Sequence, residues 1–317
     1  MHSSRSVIYT IIERIRSYLD DQDTKYDNAY VVRNVLMPEM LNAWSRLQLS
    51  ATNPILVRFP LTITAGTRYY TLPPNVGEIW GAFQWDDNDF VTDEWRPRSS
   101  LDIFGPGWRI EGNMIVVEPA HQGADEIWNF LYMPTGDFLL HYSNDGYVGL
   151  DGSSSSSSSS SADLLNVTLS SNPTVGLLDT RANAYVGALL RILQTHDGVT
   201  SLVEEHLISA HDPVTNVVTL RTPILNYADA DRIRYEVVPM GLQALAQTVS
   251  ALGAINLGVS KSITQKQMLF LQNEYKRAFK TVVDNVSNMN QRLPKHYDRK
   301  TMFRSSDMGG LGFWYLG

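Results

Sequence analysis

The chain has 317 residues, of which 43% are hydrophobic and 10% aromatic, and it contains no cysteine. This composition indicates a folded protein with a packed core, and the lack of cysteine excludes disulfide scaffolds, thiolate nucleophiles and thiolate metal sites. The net charge of −7 gives no overall reason to expect nucleic-acid binding.

The charge is distributed unevenly along the chain. Residues 261–304 contain ten Lys and Arg against three Asp and Glu, a net charge of +7, which leaves −14 for the other 273 residues. A basic C-terminal region on an acidic body favours self-association or docking on an acidic partner.

Two helices are predicted in residues 1–54. The first has apolar residues spaced three and four apart, which predicts a single buried face. The second covers about 27–49, and Pro38 is expected to kink or interrupt it. The predicted buried residues are Val7, Ile8, Ile11, Ile12, Ile15 and Leu19 in the first helix, and Tyr30, Val31, Val35, Leu36, Met40, Leu41, Trp44 and Leu47 in the second.

From residue 55 the apolar period changes to two, which predicts strands. A first antiparallel β domain is expected over 55–135, and a second, a sandwich or barrel, over 136–238. The nine serines at 153–161 are expected to form an exposed loop of the second domain. Predicted strands are 56–63, 69–72, 78–85, 108–117 with a turn at 111–113, 126–132, 138–142, 146–150, 164–169, 185–194, 203–209, 217–221 and 233–238.

The helical period returns after Pro239. A helix over 240–255 is apolar, but its polar residues and glycines favour a buried helix over a membrane span. A longer amphipathic helix covers 264–293, and residues 294–317 have no period. The predicted buried side of the long helix consists of Met268, Leu271, Tyr275, Phe279, Val282, Val286, Met289 and Leu293.

The predicted fold is therefore α+β. The N-terminal helices (1–54) and the C-terminal helices (239–293) are expected to form one bundle, from which the two β domains project as insertions. An extended tail, 294–317, follows the bundle.

The sequence contains none of the motifs for a nucleophile elbow, a zinc-binding helix or a phosphate-binding loop. We expect no enzyme, no cofactor and no metal site. His206 and His211 are expected at the surface, and the acidic groups at 86–89 and 229–231 are expected to be solvated turns.

The end of the tail is apolar and aromatic, with basic residues before it. Packing on its own core and contact with DNA phosphates are alternatives, but docking into an acidic partner is favoured because 294–312 separates the aromatic group from the last helix. The residues concerned are Lys295, Arg299, Lys300, Arg304, Phe313, Trp314, Tyr315 and Leu316.

The order of these elements resembles the head-to-tail adaptor proteins of short-tailed bacteriophages. The likeness rests on VLMPEMLN at 35–42, FPL at 59–61, GTRYYTLP at 66–73 and WRIEGNMIVVE at 108–118. The second β domain is similar to a module of phage tail components through Tyr185-x-Gly187, ISAHDPVTNVVTL at 208–220 and Asp231-x-x-x-Tyr235.

The resemblance implies a structural virion protein that forms a dodecameric ring, joins the portal to the tail nozzle and prolongs the DNA channel. It would assemble in the host cytoplasm, lie in the neck of the virion and contact the portal through the tail, with tail fibres as further partners and no membrane. The long helix would lie at an inner or inter-subunit surface. If it faces the channel, four residues would lie near passing genomic DNA, without sequence-specific binding: Lys266, Lys276, Arg277 and Lys280.

Two other functions stay open. Another phage tail component, such as a nozzle or fibre-attachment protein, predicts a hexamer in place of a dodecamer. A carbohydrate-binding or carbohydrate-active β-sandwich protein is the third possibility, although no acid/base pair is identified.

Overall fold

The computed structural model describes residues 6–20, 26–50, 56–85, 91–95, 107–118, 122–143, 149–150, 164–196, 199–225, 233–261 and 263–292. Helices and three antiparallel sheets confirm the α+β class. By its internal contacts the chain divides into two compact units. We call Met1–Leu47 with Gly136–Val283 the helix–sheet unit, and Gln48–Thr135 with Asp284–Gly317 the β unit.

Helix α1 (Val7–Leu19) begins where the Ser6 hydroxyl accepts a hydrogen bond from the backbone N–H of Tyr9, at 3.2 Å. It ends at Asp20, which adopts the left-handed conformation with φ 50°. All six residues of its predicted buried face are buried, which confirms the prediction made from their spacing.

The second predicted helix consists of α2 (Asn28–Val31), a π-helical turn (Val32–Leu36) and α3 (Met37–Ser50). Pro38 has no N–H to donate, and its ring would clash with the carbonyl of residue 34 in a regular α-helix. The wider π-helical turn lies directly before it, so the expected interruption takes this form. Tyr30 is 43% exposed, so its predicted burial is wrong.

The β unit contains two sheets. One has the strand order β1-β7-β3-β4, and the other has the order β2-β6-β5. Side chains of both sheets share one core, which includes Trp108, Trp128 and Phe130. The strands are β1 (Val57–Ile63), β2 (Tyr69–Thr71), β3 (Val76–Trp85), β4 (Val91–Trp95), β5 (Gly107–Glu111), β6 (Met114–Glu118) and β7 (Glu126–Pro134).

The helix–sheet unit contains one antiparallel sheet with the order β11-β8-β15-β12-β13-β14-β10-β9. Among the described strands this pairing is continuous and open at both edges, neither a closed barrel nor two separately paired sheets. Its strands are β8 (His141–Ser143), β9 (Gly149–Leu150), β10 (Leu164–Thr168), β11 (Val175–Gly176), β12 (Ala188–His196), β13 (Val199–Asp212), β14 (Val217–Ile224) and β15 (Ile233–Pro239).

The chain returns to helix with α4 (Leu242–Lys261) and α5 (Gln265–Arg292). Helix α4 lies against α1 and the π-helical turn, and the absence of a side chain at Gly253 makes this close approach possible. A Cβ built on Gly253 would lie 2.6 Å from Ile15 Cδ1 and 3.2 Å from Val35 Cγ1.

A buried ion pair ties α1 to the sheet. The Glu236 carboxylate on β15 accepts hydrogen bonds from the Ser6 hydroxyl and from the N–H of Val7, at 2.7 and 2.9 Å. Glu236 also pairs with the Arg191 guanidinium on β12, which lies 2.6 Å from the partly exposed Glu205. The negative charge therefore meets both a cation and the positive end of the α1 dipole.

Candidate partner-binding surfaces

Helix α5 begins with a capping box. The Thr264 hydroxyl accepts from the N–H of Gln267 at 3.3 Å, and the Gln267 side-chain oxygen accepts from the N–H of Thr264 at 3.0 Å. Leu271, Ala278 and Val282 are the buried residues on its described part. Of the predicted stripe, Leu271 and Val282 are buried, whereas Met268, Tyr275 and Phe279 are half-buried.

Two polar contacts fix the buried side of α5. The Arg46 guanidinium donates to the Tyr275 hydroxyl at 2.6 Å and lies 5.8 Å from the centre of the Tyr275 ring. The Gln247 amide on α4 donates to Glu274 at 3.3 Å. These contacts set the rotation of α5, and they determine which side chains point away from the unit.

The four cations predicted near DNA lie on the outward face of α5. Lys266, Lys276, Arg277 and Lys280 are all exposed. At about 100° per residue they share an arc of about 100°, centred opposite the buried residues, and they extend over about 21 Å of the helix. None of them makes an ion pair with another described residue, and one acidic side chain, Asp284, lies on the same arc.

Two large exposed apolar residues lie at this arc: Leu269 is within it, and Phe270 is about 20° beyond its edge. Leu269 is 54% exposed and Phe270 is 55% exposed, and the Phe270 ring lies edge to face with Tyr18, with ring centres 6.4 Å apart. Neither residue is among the predicted site residues. Their exposure could have been predicted, since neither belongs to the buried stripe of residues spaced three and four apart.

We define the arc formed by Lys266, Leu269, Phe270, Lys276, Arg277 and Lys280 as the outer α5 face.

The β unit has an acidic hairpin, β3–β4. Residues 76–95 contain six Asp and Glu and no Lys or Arg. Within the described part, Glu78, Asp93 and Glu94 are exposed. Strand β4, which the sequence analysis did not predict, lies at the edge of its sheet, where charged side chains oppose edge-to-edge pairing.

An exposed apolar residue shares a sheet face with Glu94. The strand register pairs Glu94 with Phe83 and Phe83 with Asn129, so these residues lie on one face. Ile127 is two residues from Asn129 and therefore points to the same face, where it is 60% exposed.

The residues that suggested a phage tail module converge in the core of the helix–sheet unit. Tyr185 and His211 meet edge to face, with ring centres 4.6 Å apart, and His141 stacks on Tyr235 at 5.4 Å. The Tyr185 hydroxyl accepts from the N–H of Asp179 at 2.7 Å, and Tyr235 accepts from a backbone N–H of the neighbouring loop. These motif residues therefore support the fold.

The segment between β13 and β14 is also structural. The Asp212 carboxylate accepts from the N–H of Val214 at 2.9 Å and from the Thr215 hydroxyl at 2.8 Å. This is the Asx turn that closes the hairpin, and Asn216 follows it at φ 58°.

The surface placement predicted for two histidines is wrong. His206 is 5% exposed and its ring bonds Glu204 at 2.7 Å and Thr222 at 3.0 Å. His211 is 3% exposed, and burial lowers its pKa. Both lie on β13 and are buried by residues that are distant in sequence. The sequence of one strand does not predict burial of this kind.

A shallow polar depression lies beside His211. Its lining side chains largely bond each other: Asn166 accepts from Thr219 at 2.9 Å, and Asn183 accepts from the N–H of His211 at 3.1 Å. Among the described residues, no group of three His, Asp or Glu side chains could hold a metal ion.

Several predicted residues lie outside the described residues. They are the tail residues Lys295, Arg299, Lys300, Arg304, Phe313, Trp314, Tyr315 and Leu316, the serines at 153–161, and the acidic groups at 86–89 and 229–231.

No protein-family model matches the chain, and no curated protein is significantly similar to it. The likeness to phage adaptors therefore stays a prediction made from the order of elements and short patterns.

In the described part of the chain, one helix is long and apolar enough to cross a membrane. It is α4, in the window Leu242–Val259, and 61% of this window is buried inside the protein. The core helices of folded proteins have the same length and composition.

Proposed function

We propose that this protein is a head-to-tail adaptor of a short-tailed bacteriophage. In this role it forms a ring of twelve copies, joins the portal to the tail nozzle and extends the channel through which DNA leaves the capsid. It acts by assembly and needs no catalysis.

The packing of α1 on α4 is the observation that supports this proposal most. Helix α1 lies on α4, with Ile15 and Val35 against Gly253, and residues 48–135 form a separate unit between these helices in the chain. We propose that the helices before and after the β domains form one bundle, with both β domains inserted between them in the chain. This is the layout that the resemblance to adaptors implies.

The charge distribution supports a role in assembly. The outer α5 face presents cations and large apolar side chains, while the β3–β4 hairpin presents acids. A chain with two different, complementary surfaces can add further copies head to tail, and the product is a closed ring when the rotation between copies closes.

The proposal is tested by the mass of the assembly. Twelve copies of the 35.6 kDa chain give about 427 kDa, which native mass spectrometry distinguishes from a hexamer. The measurement is made on the protein alone and after mixing with a portal. A hexamer would favour the nozzle or fibre-attachment role, and a monomer under both conditions would contradict the ring.

A truncation tests the predicted portal contact. Removing 294–317 should abolish binding to the portal, because the basic and aromatic tail is the proposed anchor. The thermal unfolding of the truncated chain should match that of the full chain. Normal docking of the truncated ring on the portal would contradict the anchor but leave the ring intact.

A further inference from the structure

We propose that the outer α5 face is an interface between copies of this chain and that its occupant is the β3–β4 hairpin of a second copy. The inference rests on the proposed ring and names the surfaces that hold it together. It also decides between the two positions left open for the long helix, because it places the outer α5 face against protein and not against DNA.

The apolar residues argue against a DNA-facing wall. Leu269 and Phe270 are each more than half exposed, and along the helix they lie between cations of the basic arc. Phosphate contacts use cations and polar groups, whereas an exposed apolar centre with a charged rim is the arrangement of protein interfaces. Lys266 lies on one side of the apolar pair along the helix, and Lys276 and Lys280 lie on the other.

The β3–β4 hairpin has acidic residues that complement the cations of the outer α5 face. Its acids Asp93 and Glu94 are exposed on an edge strand, where a neighbouring copy can approach, and Ile127 provides an exposed apolar contact on the same sheet face as Glu94. In the proposed interface, the cations of α5 face these carboxylates. The apolar residues Leu269 and Phe270 face Ile127, so the charged and the apolar parts are both matched.

Within one copy, the described residues neither pair the charges of the outer α5 face nor cover its apolar side chains fully. Its four cations form no ion pair there, and the aromatic contact of Phe270 with Tyr18 leaves 55% of Phe270 exposed. The acids of β4 are likewise unpaired among the described residues: Asp93 accepts only the adjacent N–H of Glu94, at 2.8 Å. Each surface therefore keeps its charge available for a second copy.

The decisive experiment is zero-length carbodiimide crosslinking of the native ring. Isotopically light and heavy copies are mixed before assembly, so that crosslinked peptides of mixed label come from two different copies. We expect mixed-label links from Lys276 or Lys280 to Asp93 or Glu94. Links of a single label only would mean that the contact lies within one chain, and this would overturn the proposal.

Variants then test the contribution of each part. The double substitution Leu269→Ser and Phe270→Ser should weaken self-association at least about tenfold, and so should Lys276→Glu with Arg277→Glu and Lys280→Glu. The charge-reversed variant of α5 should assemble again with copies that carry Asp93→Lys and Glu94→Lys, because the opposite charges then face each other again. Matched controls are Val214→Ser with Leu225→Ser, which are 88% and 79% exposed elsewhere, and the exposed Arg33→Glu.

The outcomes separate the inference from the proposed function. A ring of twelve copies that all α5 variants leave unchanged overturns the inference alone. Intact rings with reduced DNA retention in the Lys276→Glu, Arg277→Glu, Lys280→Glu variant would also overturn it, because the outer α5 face would then line the channel. A chain that is monomeric with and without a portal overturns both.

Discussion

Buried charge is the feature of this molecule that depends most on single residues. Glu236 and Arg191 lie 45 positions apart, and Ser6 lies 230 positions before Glu236, yet the three meet at the start of α1. Nothing in the local sequence marks them, because Arg191 and Glu236 stand in strands whose pattern predicts only alternation. Such pairs follow from sheet order, and one sequence does not reveal sheet order.

His141 makes the free energy of unfolding depend on pH. Its Nε2–H donates to the carbonyl of Ser170 at 2.9 Å, while Nδ1 is buried without a partner among the described residues. Burial lowers the pKa of His141 to about 4, from about 6.5 in the unfolded chain. As the pH falls, the unfolded chain therefore binds the proton before the folded chain does. The free energy of unfolding falls for this reason by about 3 kcal/mol between about pH 6.5 and 4.

The substitution His141→Gln should flatten this pH dependence, since Gln keeps an N–H donor but does not titrate. The measurement is urea denaturation of both chains between about pH 4 and 7, comparing the slopes of the unfolding free energy. Carboxylates titrate in both chains and cancel in the comparison. His211→Gln measures the separate contribution of the neighbouring histidine, whose pKa burial also lowers. Equal slopes for His141→Gln and the native chain would contradict the prediction.

At the scale of elements, the sequence predicted best where one period runs without interruption. The face of α1 was predicted in full because its buried residues follow a single helical period. The prediction failed for the strand expected to begin at Tyr185: β12 begins at Ala188, after a turn in which Asn183 and Gly187 adopt φ 57° and 78°. The apolar residues of that turn are buried, so their sequence pattern is the same as that of a buried strand.

Gly253 sets how closely α1 and α4 pack. A leucine side chain there must displace Ile15, and overpacking of this kind costs about 1–3 kcal/mol, more than the gain of about 1 kcal/mol in helix propensity over glycine. We therefore expect Gly253→Leu to lower the thermal unfolding temperature and to speed amide hydrogen exchange in α1.

The control for this substitution is Val259→Leu in the same helix, where the side chain is 67% exposed and should change stability by less than about 0.5 kcal/mol. Equal unfolding temperatures for Gly253→Leu and the control would mean that α1 does not pack as described.

For the whole molecule, the net charge of −7 is the sum of a basic region at 261–304 and an acidic remainder. The structure adds where part of this charge lies: four cations share the outer α5 face, and a hairpin without any cation lies in the β unit. Composition did not indicate that large apolar residues lie among the cations. The tail at 294–317, which carries the predicted portal contact, lies outside the described residues.

This asymmetry predicts that self-association weakens as salt is added. Screening shortens the range of electrostatic attraction from about 10 Å at 0.1 M to about 3 Å at 1 M salt, so a contact between the acidic hairpin and the basic helix face loses much of its attraction. We expect the dissociation constant for self-association, measured by sedimentation velocity, to rise about tenfold between low and high salt. The Lys276→Glu, Arg277→Glu, Lys280→Glu variant should be weaker at low salt and much less sensitive to added salt, whereas Leu269→Ser with Phe270→Ser should keep the full salt dependence. Association that strengthens with salt would instead indicate that apolar contacts alone hold the copies together.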